Sequence, residues 1–399
     1  MPKKFIKIII LILFVFLFIF SAGYAGNSSK KSRPELKTFD INNDGMITRG
    51  EFKGKGKDFA KLDLNADGVI SSDEIDQLKA RFKSNIYPGG DKKLKNPFEN
   101  GSYVVDIYDK EKSFNGKTVF ADYHDLDKPK IVEVNMKGEI TWEYKLPRYM
   151  KRYTNPGFDV EYIKKSDTFL FVLPIFGIFE VNRKGKIVWS YKTNKLSHDA
   201  DRLDNGNTIY VYGGGDSKND AQVIEIDKNG NVVWKWYASK YFDKYPYNEM
   251  YEDGFSHTNS VSRLSDGKTL VSLRNFDLVV LLDKMGKPIS QISTSKEGSH
   301  PHEPELQENG NILLCLRAMP WDKVVEYDKN GSLIWEYSSP GLNITRDSDR
   351  LPNGNTLIVE SRSILELTKD KEVVWRFYLK DLGSDKKYHS QRLYKAERF

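Results

Sequence analysis

Past residue 100 the apolar positions come in short alternating runs closed by tight turns, the pattern of half-buried strands. One phrase recurs with variation. His198-Asp-Ala-Asp-Arg-Leu-Asp-Asn-Gly-Asn-Thr-Ile leads on to Val-Ile-Glu-Ile-Asp-Lys-Asn-Gly-Asn-Val-Val-Trp234. His302-Glu-Pro-Glu-Leu-Gln-Glu-Asn-Gly-Asn-Ile-Leu leads on to Val-Val-Glu-Tyr-Asp-Lys-Asn-Gly-Ser-Leu-Ile-Trp335. Six such units end at Trp142, Trp189, Trp234, Ser290, Trp335 and Trp375. Four short strands per unit and a period of roughly 40–50 residues predict an all-β, six-bladed β-propeller over residues 101–399. The tryptophans are expected to pack between neighbouring sheets. Ser390-Gln-Arg-Leu-Tyr394 echoes the Asp-x-Arg-Leu opening of other units and is expected to close the ring on the first blade.

The first hundred residues follow another pattern. Asp40-Ile-Asn42-Asn-Asp44-Gly45-Met46-Ile-Thr48-Arg-Gly-Glu51 and Asp63-Leu-Asn65-Ala-Asp67-Gly68-Val69-Ile-Ser71-Ser-Asp-Glu74 both fit the EF-hand loop. A hard cation wants oxygen ligands, with a backbone carbonyl at the seventh position (Met46, Val69) and a glycine at the sixth for the turn. The prediction is a small α-helical EF-hand pair over residues 33–84 that binds Ca2+, with Ile47 and Ile70 paired as a short β-bridge. An Asp/Asn-rich turn without metal is the alternative. Residues 85–100 read as a linker, and the EF-hand module as a candidate docking element for a partner.

Lys3, Lys4 and Lys7 precede an apolar run from Ile8 to Phe20, and Ser21-Ala-Gly23-Tyr-Ala25 suits signal-peptidase cleavage. Residues 1–25 are therefore read as a signal peptide, and the protein as exported, periplasmic or extracellular. Left uncut, the leader would tether it to a membrane. Removing its three lysines lowers the formal charge from +6 to +3, too little to suggest nucleic-acid binding. Cys315 is the only cysteine, so no intramolecular disulfide forms. There is no Gly-x-x-x-x-Gly-Lys loop, and no nucleotide cofactor is expected.

In a propeller blade the innermost strand starts at the face to which the turn between strands two and three returns. His198, His257, Asn259, His300, His302 and Arg346 head inner strands, while His124, Arg274, Arg317 and Arg362 lie at return turns. Both sets are expected around one mouth of the central channel. Arginine forks bind tetrahedral oxyanions through paired hydrogen bonds, and an imidazole there serves as nucleophile or acid/base. Arg202 and Arg350, which share a register, read as structural.

At these residues the chain resembles the bacterial arylsulfate sulfotransferases, which work without 3′-phosphoadenylyl sulfate, over about residues 100–399. Ser256-His257-Thr-Asn259-Ser260 with Val271-Ser-Leu-Arg274-Asn is similar to the family's His-x-Asn-Ser and Ser-Ser-Arg segments. The stretch from His302 is similar to that around its nucleophilic histidine. The resemblance implies that His302 is the nucleophile, that His257 and Arg274 hold sulfuryl oxygens, and that His198 is a further active-site histidine. It implies an aryl sulfate donor and a phenolic acceptor. Asn259, Arg317, Arg346 and Arg362 on the same rim are candidate substrate contacts. The family's Phe-Asp-Asn-Gly is replaced by Leu316-Arg317-Ala-Met319, and EF-hands replace its N-terminal β-rich domain. Tyr241, Phe242, Tyr245 and Tyr247 either stack on the aryl group or form an ordered surface loop. Rival readings are a non-catalytic propeller binding anionic ligands or a partner protein, a quinoprotein-like redox propeller, and a transition-metal site at His300-Pro-His302 with Glu303 or Glu305.

Overall fold

A computed structural model describes residues 40, 42, 44–52, 62–63, 68–75, 93–155, 157–248, 253–319, 321–340, 342–380 and 393–399. The leader, Asn65, Asp67 and Ser390 to Arg392 lie outside them. The chain divides into two compact units, Met1–Tyr87 and Pro88–Phe399. In the first, Met46–Thr48 pairs with Val69–Ser71 and sets Ile47 opposite Ile70, as the loop spacing predicts. Phe52, Leu62 and Ile75 pack against these two isoleucines.

The second unit is a six-bladed propeller. Blades 2 to 5 are continuous in sequence, with innermost strands Asp159–Ile163, Ala200–Arg202, Thr258–Arg263 and Ser299–Leu306. Blade 6 opens with Asp347–Arg350, and its outer strand Val373–Leu379 is extended by Tyr103–Tyr108 and Phe98–Asn100. Blade 1 takes its innermost strand, Ala396–Arg398, from the C-terminus and pairs it with Thr118–Asp122. Closure therefore uses the tail, but in a later register than the sequence echo suggests. Arg398, not Arg392, is the counterpart of Arg202 and Arg350.

That register is enforced by a repeated contact. Arg202, Arg263, Arg350 and Arg398 each bond the third-strand glutamate of the preceding blade: Glu180, Glu225, Glu326 and Glu366, at 2.9, 2.9, 2.6 and 2.5 Å. Each guanidinium also lies over that blade's tryptophan, 4.0 to 5.6 Å from the ring centroid. Trp142, Trp189, Trp236, Trp335 and Trp375 donate their indole N–H to a carbonyl of the following blade. In blade 3 the donor is Trp236 rather than Trp234. Apolar side chains fill the space between sheets, as Val119, Phe169 and Phe171 do between blades 1 and 2.

Inner strands have no neighbour on the channel side, so their backbone N–H groups need other acceptors. Carboxylates of the preceding blade supply them. Glu161 accepts from Arg202, Asp199 from Val261, Glu305 from Arg350, Asp347 from Ala396 and Glu397 from Tyr162, at 2.7 to 3.0 Å. Between blades 4 and 5 the link is an amide: Asn259 Nδ2 donates to the Pro301 carbonyl at 2.9 Å.

Candidate active site

His198 and His257 precede the inner strands of blades 3 and 4, His302 lies within that of blade 5, and Arg346 precedes that of blade 6. The His198 and His257 rings stack with centroids 5.4 Å apart and Nε2 atoms 3.2 Å apart. His257 Nδ1–H donates to the Asp253 carbonyl at 2.8 Å, which leaves Nε2 as its acceptor. Arg274 Nη1 lies 2.9 Å from that nitrogen and 3.0 Å from the Asp253 carboxylate. Arg346 Nη1 donates to His302 Nε2 at 2.9 Å. Because a guanidinium only donates, His302 carries its proton on Nδ1 and a lone pair on Nε2. Tyr394 joins the two halves, its ring centroid 6.0 Å from that of His198 and 6.5 Å from that of His302.

Local sequence explains these placements. Pro301 and Pro304 cannot donate to the sheet ladder, and the blade 5 inner strand bulges on either side of His302. His257, His300 and Glu303 take positive φ values of 45°, 56° and 41°, a strain of about 1–3 kcal/mol each that surrounding contacts must offset. The buried Asp216 carboxylate accepts the N–H groups of Ser256 and His257, both at 3.1 Å, and Asp277 accepts that of His300 at 2.8 Å. Gly213 permits this packing, since a Cβ there would stand 2.1 Å from the Thr258 carbonyl oxygen.

Burial and the arginine field act together on the imidazoles. Burial, then Arg274, pushes His257 down to about 4 and His300 down to about 3. His198 and His302 are held well below the usual value, chiefly by burial. Arg274, Arg317 and Arg346 all act electrostatically on these neutral imidazoles. Among the described residues neither Arg317 nor Arg346 is in an ion pair, so the cluster favours an anion.

Several expected rim residues are engaged elsewhere. Asn259 is buried, and its Nδ2 bonds blade to blade. His124 turns into its own blade, where its Nδ1 sits 2.5 Å from Asp122. Arg362 acts on the neighbouring Glu360, and no hydrogen bond joins its side chain to the cluster among the described residues. Phe242 and Tyr247 pack on Phe276, beside Arg274, so they brace that turn; Tyr245 is exposed. The proposed transition-metal ligands are also diverted. Glu303 bonds Lys395 and Glu305 accepts Arg350 N–H, and no metal-binding group of three is gathered among the described residues. Sequence reasoning missed Tyr394, Lys395, Asp253 and Asp216. Glu397-Arg398, repeating Asp201-Arg202 and Asp349-Arg350, carried the signal that sets Tyr394 level with His198 and Lys395 level with Asp199.

In the first unit Gly45 and Gly68 have φ of 83° and 89°. Asp40 accepts the N–H of Asp44 and Gly45, and Glu51 that of Thr48 at 2.8 Å. Asp63 accepts Gly68 N–H at 3.0 Å, and Glu74 accepts Ser71 N–H at 2.7 Å. First and last acidic positions thus bend over each loop, an oxygen-only donor set that suits a hard cation.

The EF-hand family model matches residues 35–54 and 57–79. No curated protein matches the chain. Among solved structures, it is similar to a protein of unknown function from Bacteroides caccae, with 16% identity, 71% of this chain and 98% of that one covered, and a TM-score of 0.49. A catalytically inactive virginiamycin B lyase from Staphylococcus aureus with quinupristin has 14% identity, coverages of 71% and 90%, and a TM-score of 0.44. TolB from Acinetobacter baumannii has 15% identity, coverages of 70% and 66%, and a TM-score of 0.47. The family model described as arylsulfotransferase (ASST) matches residues 104–306, half of the chain, and takes in His198, His257, Arg274 and His302. The chain belongs to the arylsulfotransferase family.

Proposed function

We propose that the protein moves a sulfuryl group from an aryl sulfate to a phenolic acceptor through a sulfated His302. The observation that carries this reading is the bond from Arg346 Nη1 to His302 Nε2. It aims an unprotonated nitrogen at a guanidinium that no carboxylate neutralises among the described residues. A sulfate monoester would take over the guanidinium N–H groups with its own oxygens and bring its sulfur to that nitrogen. Nε2 attacks the sulfur while Arg346, Arg274 and Arg317 draw charge onto the three equatorial oxygens. The bond from sulfur to the aryl oxygen breaks, and its electron pair leaves on the phenolate. In the second step the acceptor oxygen attacks the sulfur, and the N–S electron pair returns to Nε2. Over both steps the acceptor's hydroxyl proton ends on the released phenol, with the neighbouring imidazoles of His198 and His257 as its relay. No nucleotide takes part.

The leader sequence supports placing this chemistry outside the cytoplasm. The EF-hand loops would hold Ca2+ through Asp40, Asn42, Asp44, Met46, Thr48 and Glu51, and through Asp63, Asn65, Asp67, Val69, Ser71 and Glu74, as a structural element. Incubation with 4-nitrophenyl sulfate and phenol tests the enzymatic reading. Phenol-dependent release of 4-nitrophenolate is expected, and its loss in His302→Ala. If a range of aryl sulfates gives no release while sulfated ligands still bind, the propeller is a binding module instead.

A further inference from the structure

We propose that the dipeptide Tyr394-Lys395 is a positioning element that sets the separation of His198 and His302. Those histidines sit on blades 3 and 5, joined through blade 4 by the bonds of Asp199 to Val261 and of Asn259 to Pro301. The closing strand spans them directly, twice over. The Tyr394 ring lies against both imidazoles, at 6.0 and 6.5 Å. The next residue, Lys395, bonds Asp199 Oδ1 at 2.5 Å and Glu303 Oε1 at 3.0 Å, the residues that directly follow His198 and His302 in the chain. Its third donor goes to Asp159 at 3.2 Å, so the ammonium is saturated. The side chain is only 10% exposed. The other ionisable groups facing this point are Glu161, Asp201 and Asp347 on the inner strands, and Tyr394 itself.

Remove the ammonium, and Asp199 and Glu303 lose the partner that holds them together. Each would carry its adjoining histidine with it. The geometry stands without the sulfuryl-transfer reading; only the catalytic consequence rests on that reading.

The full chain, labelled with 15N-histidine, is compared with Lys395→Met, Lys395→Arg and Asp159→Asn. In Lys395→Met the ring resonances of His198 and His302 should move while that of His124, held in blade 1, stays. The kcat for 4-nitrophenyl sulfate should fall about 100-fold, the cost of misplacing a reacting group by about 1 Å, with KM changed less than about threefold. Lys395→Arg should recover at least about a tenth of the lost rate, and Asp159→Asn should stay within about threefold of wild type. If Lys395→Met does not fold, Glu303→Gln provides the same comparison with one arm of the clamp removed. A folded Lys395→Met or Glu303→Gln protein with unmoved His302 and His198 resonances overturns the proposal. A wild-type protein that transfers no sulfuryl group sinks the enzymatic reading instead, and the resonances still decide the clamp.

Discussion

One residue along the same inner strands, the chemistry of the channel reverses. At the mouth stand His198, His302, Arg346 and Tyr394; immediately behind them stand Asp199, Glu303, Asp347 and Lys395. Both layers are buried, and desolvation acts on them with opposite sign. It strips protons from the imidazoles of the first layer. On carboxyls of the second it acts the other way, raising Asp159 to about 6, Asp347 to about 7 and, further along, Glu161 to about 8 and Glu397 to about 7. One layer is thereby left open to an anion. The other spends its carboxylates on backbone N–H groups and binds blade to blade.

The sharpest way to break this contrast is to alter two neighbours. Arg346→Met should lower kcat/KM about 10²- to 10³-fold, as loss of a transition-state donor does. Asp347→Asn keeps the shape of a protonated carboxyl and should change it by less than about threefold. Steady-state kinetics on both variants decide; equal losses would erase the distinction between layers. Next comes the fold. Arg398→Ala leaves Glu366 buried without its cation and should cost about 3–5 kcal/mol in urea unfolding.

The layers should also oppose each other in the pH dependence of stability. A carboxyl whose folded pKa is raised contributes fully below its unfolded value, about 4, and loses that contribution as pH climbs through about 6 to 8. A depressed histidine works in reverse. Below about 6.5 the unfolded chain takes protons that the folded chain refuses, so stability falls toward pH 4. Below about pH 6.5 the two trends oppose each other, and above it only the carboxyl trend remains, so melting temperature should fall on the alkaline side. His300→Gln should flatten only the acid limb, and Glu161→Gln only the alkaline one. The smallest effect concerns calcium. Chelation should loosen the unit Met1–Tyr87, seen by proteolysis, and shift the propeller's melting by no more than about 2 °C.

Strand pattern and repeated tryptophans made the propeller legible, because each blade repeats the same packing problem between sheets. His198, His257, Arg274, His302 and Arg346 were legible because the repeat fixes where an inner strand begins and where the return turn lies. Asn259 stands near such a start, yet its partner is settled by the neighbouring blade, which no local pattern encodes, and Arg362, at a return turn, acts on Glu360 of its own blade. The tail was misregistered for a similar reason. Ser390-Gln-Arg-Leu matches other openings at Arg-Leu, whereas the ring closes through Arg398 because Glu366 and Trp375 need its guanidinium. Tyr394 and Lys395 followed that error out of view.

The central claim is that the His302 imidazole, held unprotonated by burial and aimed by Arg346, takes the sulfuryl group itself. Brief mixing with an aryl sulfate, quenching at alkaline pH and mass spectrometry of the proteolysed protein tests it. The account predicts an added SO3 on the peptide containing His302, absent in His302→Ala and discharged by phenol. Turnover with that peptide unmodified and the group on another residue, or on none, would contradict it.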